Sequence, residues 1–211
     1  MANRTRRIIP SVLTRYAPTA QKRINVFRRF TSHLHLDLMD GDYVMTRSFG
    51  PSGIVKLNLP KYTAAHLMVE HPAAWAGACY EAGIRRLVIH VEAKISPPLI
   101  RELRRRFEVF LALRPGVAVA LLKPYKNICD GYHVMTIVPG RQGNVFLPRQ
   151  LKVIRQVRKM YPRSVISVDG GMSQETIGPT LQSGADWIIV GSILRDSAHP
   201  AFGFKQLQAL L

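Results

Sequence analysis

Eight short apolar runs alternate along the chain with segments of helical spacing, and no other feature narrows the fold as much. The runs are Ile8 to Leu13, Leu34 to Leu38, Ala65 to Val69, Leu87 to His90, Val109 to Leu113, Val134 to Val138, Val165 to Val168 and Trp187 to Val190. Several are apolar without alternation, the pattern of parallel strands covered on both faces. Between them, three sets of apolar residues recur at helical intervals and leave basic residues on the other side. These are Leu99, Leu103 and Phe107; Leu151, Ile154, Val157 and Tyr161; and Phe204, Leu207 and Leu211. Pro72 and Ser173 suit helix starts, whereas Gly83 and Gly184 suit helix ends. Eight such alternations within 211 residues favour an α/β chain folded as a single (β/α)8 (TIM) barrel, with an open doubly wound sheet as the alternative. No repeat, linker or low-complexity tract divides the chain, so residues 1–211 are read as one domain, with residues 1–7 as a basic N-terminal extension.

Composition excludes some classes of function. A hydrophobic fraction of 47% with 20% charged residues is that of a globular protein, not a disordered chain. No apolar run approaches the ~20 residues that span a bilayer, so no membrane partner is expected. Pro10 interrupts the apolar stretch after the basic N-terminus, which argues against a secretory signal and for a cytoplasmic location. Cys79 and Cys129 lack metal-knuckle or disulfide spacing and read as reduced packing thiols. Thirty Lys and Arg against thirteen Asp and Glu leave a formal charge of +17, a field that attracts any anion. Many of these residues sit in helix-like segments, as Arg101, Arg104, Arg105 and Arg106 or Lys152, Arg155, Arg158 and Lys159 do, and predict a solvated outer face. With no nucleic-acid motif and no basic stretch interleaved with aromatics, nucleic-acid binding beyond non-specific electrostatics is not expected.

The chemically capable residues gather at the C-terminal ends of the strands, which in a barrel form one rim. His35 and Asp37 end the second strand two residues apart and therefore share a face. His66 lies in the third strand and Asp169 ends the seventh. Two imidazoles and two carboxylates on one rim suit a divalent ion such as zinc, iron, manganese or cobalt, although each residue alone is more often a packing residue. After strands six, seven and eight come Pro139-Gly140-Arg141-Gln142-Gly143, Asp169-Gly170-Gly171 and Gly191-Ser192. Glycines there let backbone N–H groups approach a phosphate, or simply turn the chain.

The ordered motifs Ile9-Pro10-Ser11-Val12-Leu13, His35-Leu36-Asp37-Leu38-Met39-Asp40-Gly41, His66-Leu67-Met68-Val69, Val134-Met135-Thr136-Ile137-Val138-Pro139-Gly140, Val168-Asp169-Gly170-Gly171 and Gly184-Ala185-Asp186 through Gly191-Ser192 resemble the ribulose-phosphate 3-epimerase family. The resemblance runs from about residue 8 to residue 196. It implies a (β/α)8 isomerase of carbohydrate metabolism, in the pentose phosphate pathway, that interconverts D-ribulose 5-phosphate and D-xylulose 5-phosphate by proton transfer at C3. The family's metal ligands carry over to His35, Asp37, His66 and Asp169, with zinc expected first, and its acid/base pair to Asp37 and Asp169. Substrate contacts carry over to Ser11 and His66, and the phosphate loops to Gly140, Arg141, Gln142, Gly143, Gly170, Gly171, Gly191 and Ser192. Met39, Met68 and Met135 match methionines that line the family's site, and a homo-oligomer is expected.

Several residues depart from the family pattern: Asp42 and Met45 after the second strand, Ala64 in place of an acidic residue, Arg114 in place of an asparagine, and Arg141 in the phosphate loop. They alter the walls and spare the proposed ligands, so reaction type is firmer than substrate. A hexulose 6-phosphate, or a non-catalytic barrel binding sugar phosphate or nucleic acid, are the competing readings. His33, His71, His133 and His199 have no motif partners and read as surface or structural, while His90 and Glu92 read as supporting residues near the rim.

Overall fold

Each strand pairs in parallel with the next and the eighth pairs with the first, so the sheet closes and has no free edge. The computed structural model describes residues 5–140 and 144–211. Its strands are β1 (Arg7–Val12), β2 (His33–Met39), β3 (Tyr62–Met68), β4 (Arg86–His90), β5 (Glu108–Leu113), β6 (Gly131–Met135), β7 (Val165–Asp169) and β8 (Trp187–Val190). The helices are α1 (Ala17–Phe27), α2 (Pro51–Ile54), α3 (Ala73–Glu81), α4 (Pro97–Leu103), α5 (Gln150–Met160), α6 (Gln174–Gln182), α7 (Ser192–Arg195) and α8 (Pro200–Gln208). This is the expected (β/α)8 barrel. A 3-10 helix, Val119–Tyr125, stands between β5 and β6, and Pro124 within it lacks the N–H that a longer α-helix would use.

The apolar strands have two distinct faces. Leu34, Leu36 and Leu38 of β2, Ala65 and Leu67 of β3, and Val109, Leu111 and Leu113 of β5 point outward into one continuous core beneath the helices. The residues between them point into the barrel, because successive side chains of a strand alternate. Val88, Phe110 and Ala112 pack with Trp187 at the floor, and Met39, Met68 and Met135 pack with Val44 and Ile137 near the mouth. Phe110 fits because β6 begins with Gly131, where a Cβ would lie 2.6 Å from its ring.

Four sequence expectations shift. β6 runs Gly131–Met135, not Val134 to Val138: the Thr136 N–H makes the last rung to Asp169 O at 2.7 Å, and its carbonyl turns away to accept the Leu147 N–H at 2.8 Å. β3 starts at Tyr62, three residues early. Arg7 opens β1, paired with Trp187, and so belongs to the barrel instead of the basic extension. α4 stops at Leu103, which places Arg104, Arg105 and Arg106 in the turn before β5 and not on a helix face. Ser173 does cap α6, where Thr176 Oγ1 accepts the Ser173 N–H at 2.8 Å. Among the described residues no helix is long and apolar enough to cross a membrane.

Candidate active site

Register brings the polar residues together. β2 and β3 pair with Asp37 opposite His66, and β6 and β7 pair with Met135 opposite Asp169. With Leu36, Leu38, Leu67 and Val168 turned outward, His35, Asp37, His66 and Asp169 must point inward. His66 Nδ1 lies 3.0 Å from Asp37 Oδ1 and 3.9 Å from Asp169 Oδ2, and His35 Nε2 lies 3.5 Å from Asp37 Oδ1. All four residues are buried.

These separations suit a single small cation, since a tetrahedral ion with ~2.1 Å bonds holds its ligand atoms about 3.4 Å apart. His35 Nε2 is buried without a hydrogen-bond partner, a polar atom that a bound ion would satisfy. Donor atoms of His35, His66, His133 and Asp169 all lie within 4.8 Å of one another, so this cluster could hold a divalent metal ion, and Asp37 stands against it. His133 thus departs from its reading as a partnerless histidine. It is completely buried, its Nδ1 lies 2.8 Å from Ser167 Oγ, and its Nε2 has no partner.

Electrostatics separate the two carboxylates. Burial pushes Asp37 up, but the His35 and His66 rings outweigh it and bring the carboxyl down to about 2. Burial also pushes Asp169 up, and the neighbouring Asp37 charge adds to it, so this carboxyl rises to about 7. Burial depresses His66, His90 and His133, which keeps them as the neutral imidazoles a metal requires. His35 is the exception: burial pushes it down, and the Asp37 carboxylate more than compensates.

A supporting chain lies behind the cluster. His66 Nε2 is 2.9 Å from His90 Nε2, and His90 Nδ1 is 3.7 Å from Glu92 Oε1. Glu92 Oε1 accepts a hydrogen bond from the Tyr43 hydroxyl at 2.7 Å and pairs with Arg114 Nε at 2.8 Å, while the Arg114 guanidinium lies 5.3 Å from the Tyr43 ring centroid. Arg114 is therefore tied into the wall of the mouth. Met45 is fully exposed, Asp42 is exposed, and Ala64 is buried deep in the barrel beside His35 in register.

Above the cluster opens a cleft lined by Ser11, Asp37, Met39, Met68, Met135, Gly140, Asp169, Gly170, Gly171, Gly191 and Ser192. Gly170 and Gly171 have φ of 111° and 66°, and a Cβ on Gly170 would lie 2.4 Å from Ile137 Cγ1. A Cβ on Gly191 would touch Ser11 Oγ at 3.0 Å, so this backbone passes directly beside the serine. α7 follows Gly191 as the short extra helix that often accompanies a phosphate site after the eighth strand of such barrels. Thr46 Oγ1 donates to Gly140 O and joins the loop after β2 to the one after β6. Arg141, Gln142 and Gly143 lie outside the described residues.

Residues 7–194 match the sequence model of the Ribulose-phosphate 3 epimerase family. A ribulose-phosphate 3-epimerase, cytoplasmic isoform, of Oryza sativa subsp. japonica is 31% identical over 203 residues, covering 92% of this chain and 89% of its own. A ribulose-phosphate 3-epimerase of Schizosaccharomyces pombe is 30% identical, with the same coverage. In fold, the chain is similar to the crystal structure of 3-hexulose-6-phosphate synthase from Salmonella typhimurium, with a TM-score of 0.69 at 18% identity over 98% of both chains. A match over nearly the whole barrel, and not over one glycine loop, decides the family: this chain is an enzyme belonging to the ribulose-phosphate 3-epimerase family.

Proposed function

We propose that the protein inverts C3 of a ketose phosphate, interconverting D-ribulose 5-phosphate and D-xylulose 5-phosphate. The observation that carries this reading is the convergence of Asp37 and Asp169 on His66 at the floor of the cleft, one carboxyl held low and the other high. Inversion beside a ketone removes a proton from one face and returns one to the other, through an enediolate. One of the two carboxyl groups would act as base and the other as acid, with the roles exchanged in the reverse direction.

His35, Asp37, His66 and Asp169 would hold a divalent ion, zinc first and iron, manganese or cobalt as alternatives, and His133 stands ready as a further donor. When bound, such an ion supplies positive charge that stabilises the enediolate. Ser11 and the amides around Gly140, Gly170, Gly171, Gly191 and Ser192 would fix the sugar phosphate, with Arg141, Gln142 and Gly143 assigned to the same loops on sequence grounds. Met39, Met68 and Met135 exclude water from the reacting carbon while adding no competing proton donor.

The test is turnover of ribulose 5-phosphate in D2O, with metal content measured on the same sample and a chelator-treated control. Epimerisation with deuterium entering at C3, lost on chelation, is the expected result. Absence of both inversion and exchange in a metal-loaded sample would sink the assignment. Because Arg114 and Tyr43 reshape the mouth, a hexulose 6-phosphate belongs in the same assay, and a preference for it would change the substrate but not the chemistry.

A further inference from the structure

The charge of +17 is not spread evenly over the barrel. Among the described residues, the segments leading from each helix into the next strand, with the first residue of each strand, carry twelve Lys and Arg against three Asp and Glu. The segments leaving the strands at the mouth, with the last residue of each strand, carry five against five. The surplus therefore lies on the face opposite the cleft. Its three acids are already engaged: Glu108 pairs with Arg86 at 2.5 Å, Asp130 with Arg104 at 2.6 Å and Asp186 with Arg158 at 2.6 Å. Arg28, Arg29, Lys61, Arg105, Arg106 and Arg163 are exposed and have no carboxylate partner among the described residues.

Aromatic rings stand among these cations. Tyr62 is 46% exposed and Tyr80 39% exposed. The Lys61 ammonium lies 5.2 Å from the Tyr62 ring centroid, and His33 stacks on that ring at 4.8 Å. The Arg85 and Arg106 guanidinium carbons lie 4.1 and 5.3 Å from the Tyr80 centroid, and that of Arg86 lies 4.5 Å from the Trp187 ring. The pattern is absent from any contiguous stretch of sequence because the barrel assembles it from separate turns.

We propose that this basal face binds single-stranded nucleic acid, with the unpaired arginines and Lys61 holding backbone phosphates and Tyr62 and Tyr80 stacking on bases. Charge of one sign brings any polyanion, but exposed rings alternating with cations are the particular combination that single strands use. A second copy of the same face is disfavoured, since it presents the same charge. The surface is independent of the active site, so its occupancy does not depend on the epimerase reading.

The experiment measures binding of a fluorescein-labelled twelve-nucleotide oligo(U) and oligo(dT) to the full chain by anisotropy from 0.05 to 0.3 M salt. Competition by a heparin fragment and by phosphatidylserine vesicles, and variants Tyr62→Ala, Tyr80→Ala, Tyr62→Phe and Tyr80→Phe, complete it. Binding should persist at 0.15 M salt, weaken about 5- to 100-fold in each alanine variant and survive in the phenylalanine variants, which keep the ring. Thermal melts check that the variants fold, and the phenylalanine pair decides the matter should an alanine variant not. Binding lost by 0.15 M salt overturns the proposal. Equal binding by wild type and folded alanine variants, or vesicles displacing the oligonucleotide from rings and arginines alike, also overturns it and leaves a merely electrostatic or membrane-facing surface.

Discussion

His66 is held at both ring nitrogens, with Nδ1 3.0 Å from Asp37 Oδ1 and Nε2 2.9 Å from His90 Nε2. Between His66 Nε2 and His90 Nε2 one nitrogen must donate and the other accept, so the tautomer of His66 fixes that of His90. If Nδ1 gives its lone pair to a metal, the His66 proton sits on Nε2 and is donated to His90 Nε2. The His90 proton then sits on Nδ1, facing Glu92. Replacing such an orienting partner commonly weakens metal binding about 10- to 100-fold. We expect that loss in His90→Ala, measured by competition with a chromophoric chelator, with Glu92→Gln weaker in effect because its contact is 3.7 Å. Unchanged metal affinity in a folded His90→Ala protein would remove His90 from the site.

The carboxylate pair predicts an asymmetry between inversion and exchange. Asp37→Asn and Asp169→Asn should each lower kcat about 100- to 10,000-fold, the range for losing a positioned acid or base. On the proposed mechanism each remaining carboxylate would face one side of the sugar, so solvent deuterium should enter C3 of one epimer without inversion, and the favoured epimer should differ between the variants. Mass spectrometry of recovered substrate, with metal content determined in parallel, reads this directly. Exchange into both epimers by either variant would show that one group serves both faces.

The sequence already displayed most of the barrel, because buried parallel strands are apolar on both faces and alternate with amphipathic helices. His35 and Asp37 were legible for a related reason: the period of two puts them on one side of any strand that contains them. His133 was hidden by a boundary. A strand read as Val134 to Val138 excludes it, whereas β6 from Gly131 places it two residues before Met135 and so on the same inward face. Counting back by twos from Met135 would have found it. The basal face was harder to read, since it gathers side chains from different helix-to-strand passages, as when Arg106 after α4 reaches the ring of Tyr80 in α3.

Asp40 gives a pH dependence through its own backbone partners. Its Oδ1 accepts the N–H groups of Asp42 and Tyr43 at 2.9 Å each, and its Oδ2 that of Glu70 at 2.7 Å, so one side chain ties the loop after β2 to the end of β3. Burial pushes its carboxyl up, yet the backbone donors prevail and hold it below the usual range. A folded pKa below the unfolded value of about 3.9 stabilises the protein fully above that pH and ceases to do so as pH falls through the folded value. Asp40→Asn should be about 1–2 kcal/mol less stable at pH 7, a figure reduced for partial exposure, and the gap should begin to close as pH falls below about 4. Urea unfolding of both proteins between pH 3 and pH 7 measures it. A gap that stays constant across this range would mean that the charge on Asp40 contributes nothing.

Two glycines should respond oppositely to the same methyl group. At Gly77, in the exposed middle of α3, an added Cβ meets nothing within 4 Å, so alanine removes backbone freedom from the unfolded chain without a clash. Gly77→Ala should therefore be about 0.5–1 kcal/mol more stable. At Gly170 the backbone has φ of 111° and the Cβ would stand 2.4 Å from Ile137 Cγ1, in the turn that carries Asp169 toward the cleft. Strain and overpacking together should make Gly170→Ala about 2–5 kcal/mol less stable. Because Ile137 must shift beside the proposed phosphate loop, KM for the phosphorylated sugar should rise in the surviving folded fraction. Chemical denaturation reports both stabilities on one scale. Should Gly170→Ala match the wild type, the close packing of Ile137 on this turn would not be what holds Asp169 in place.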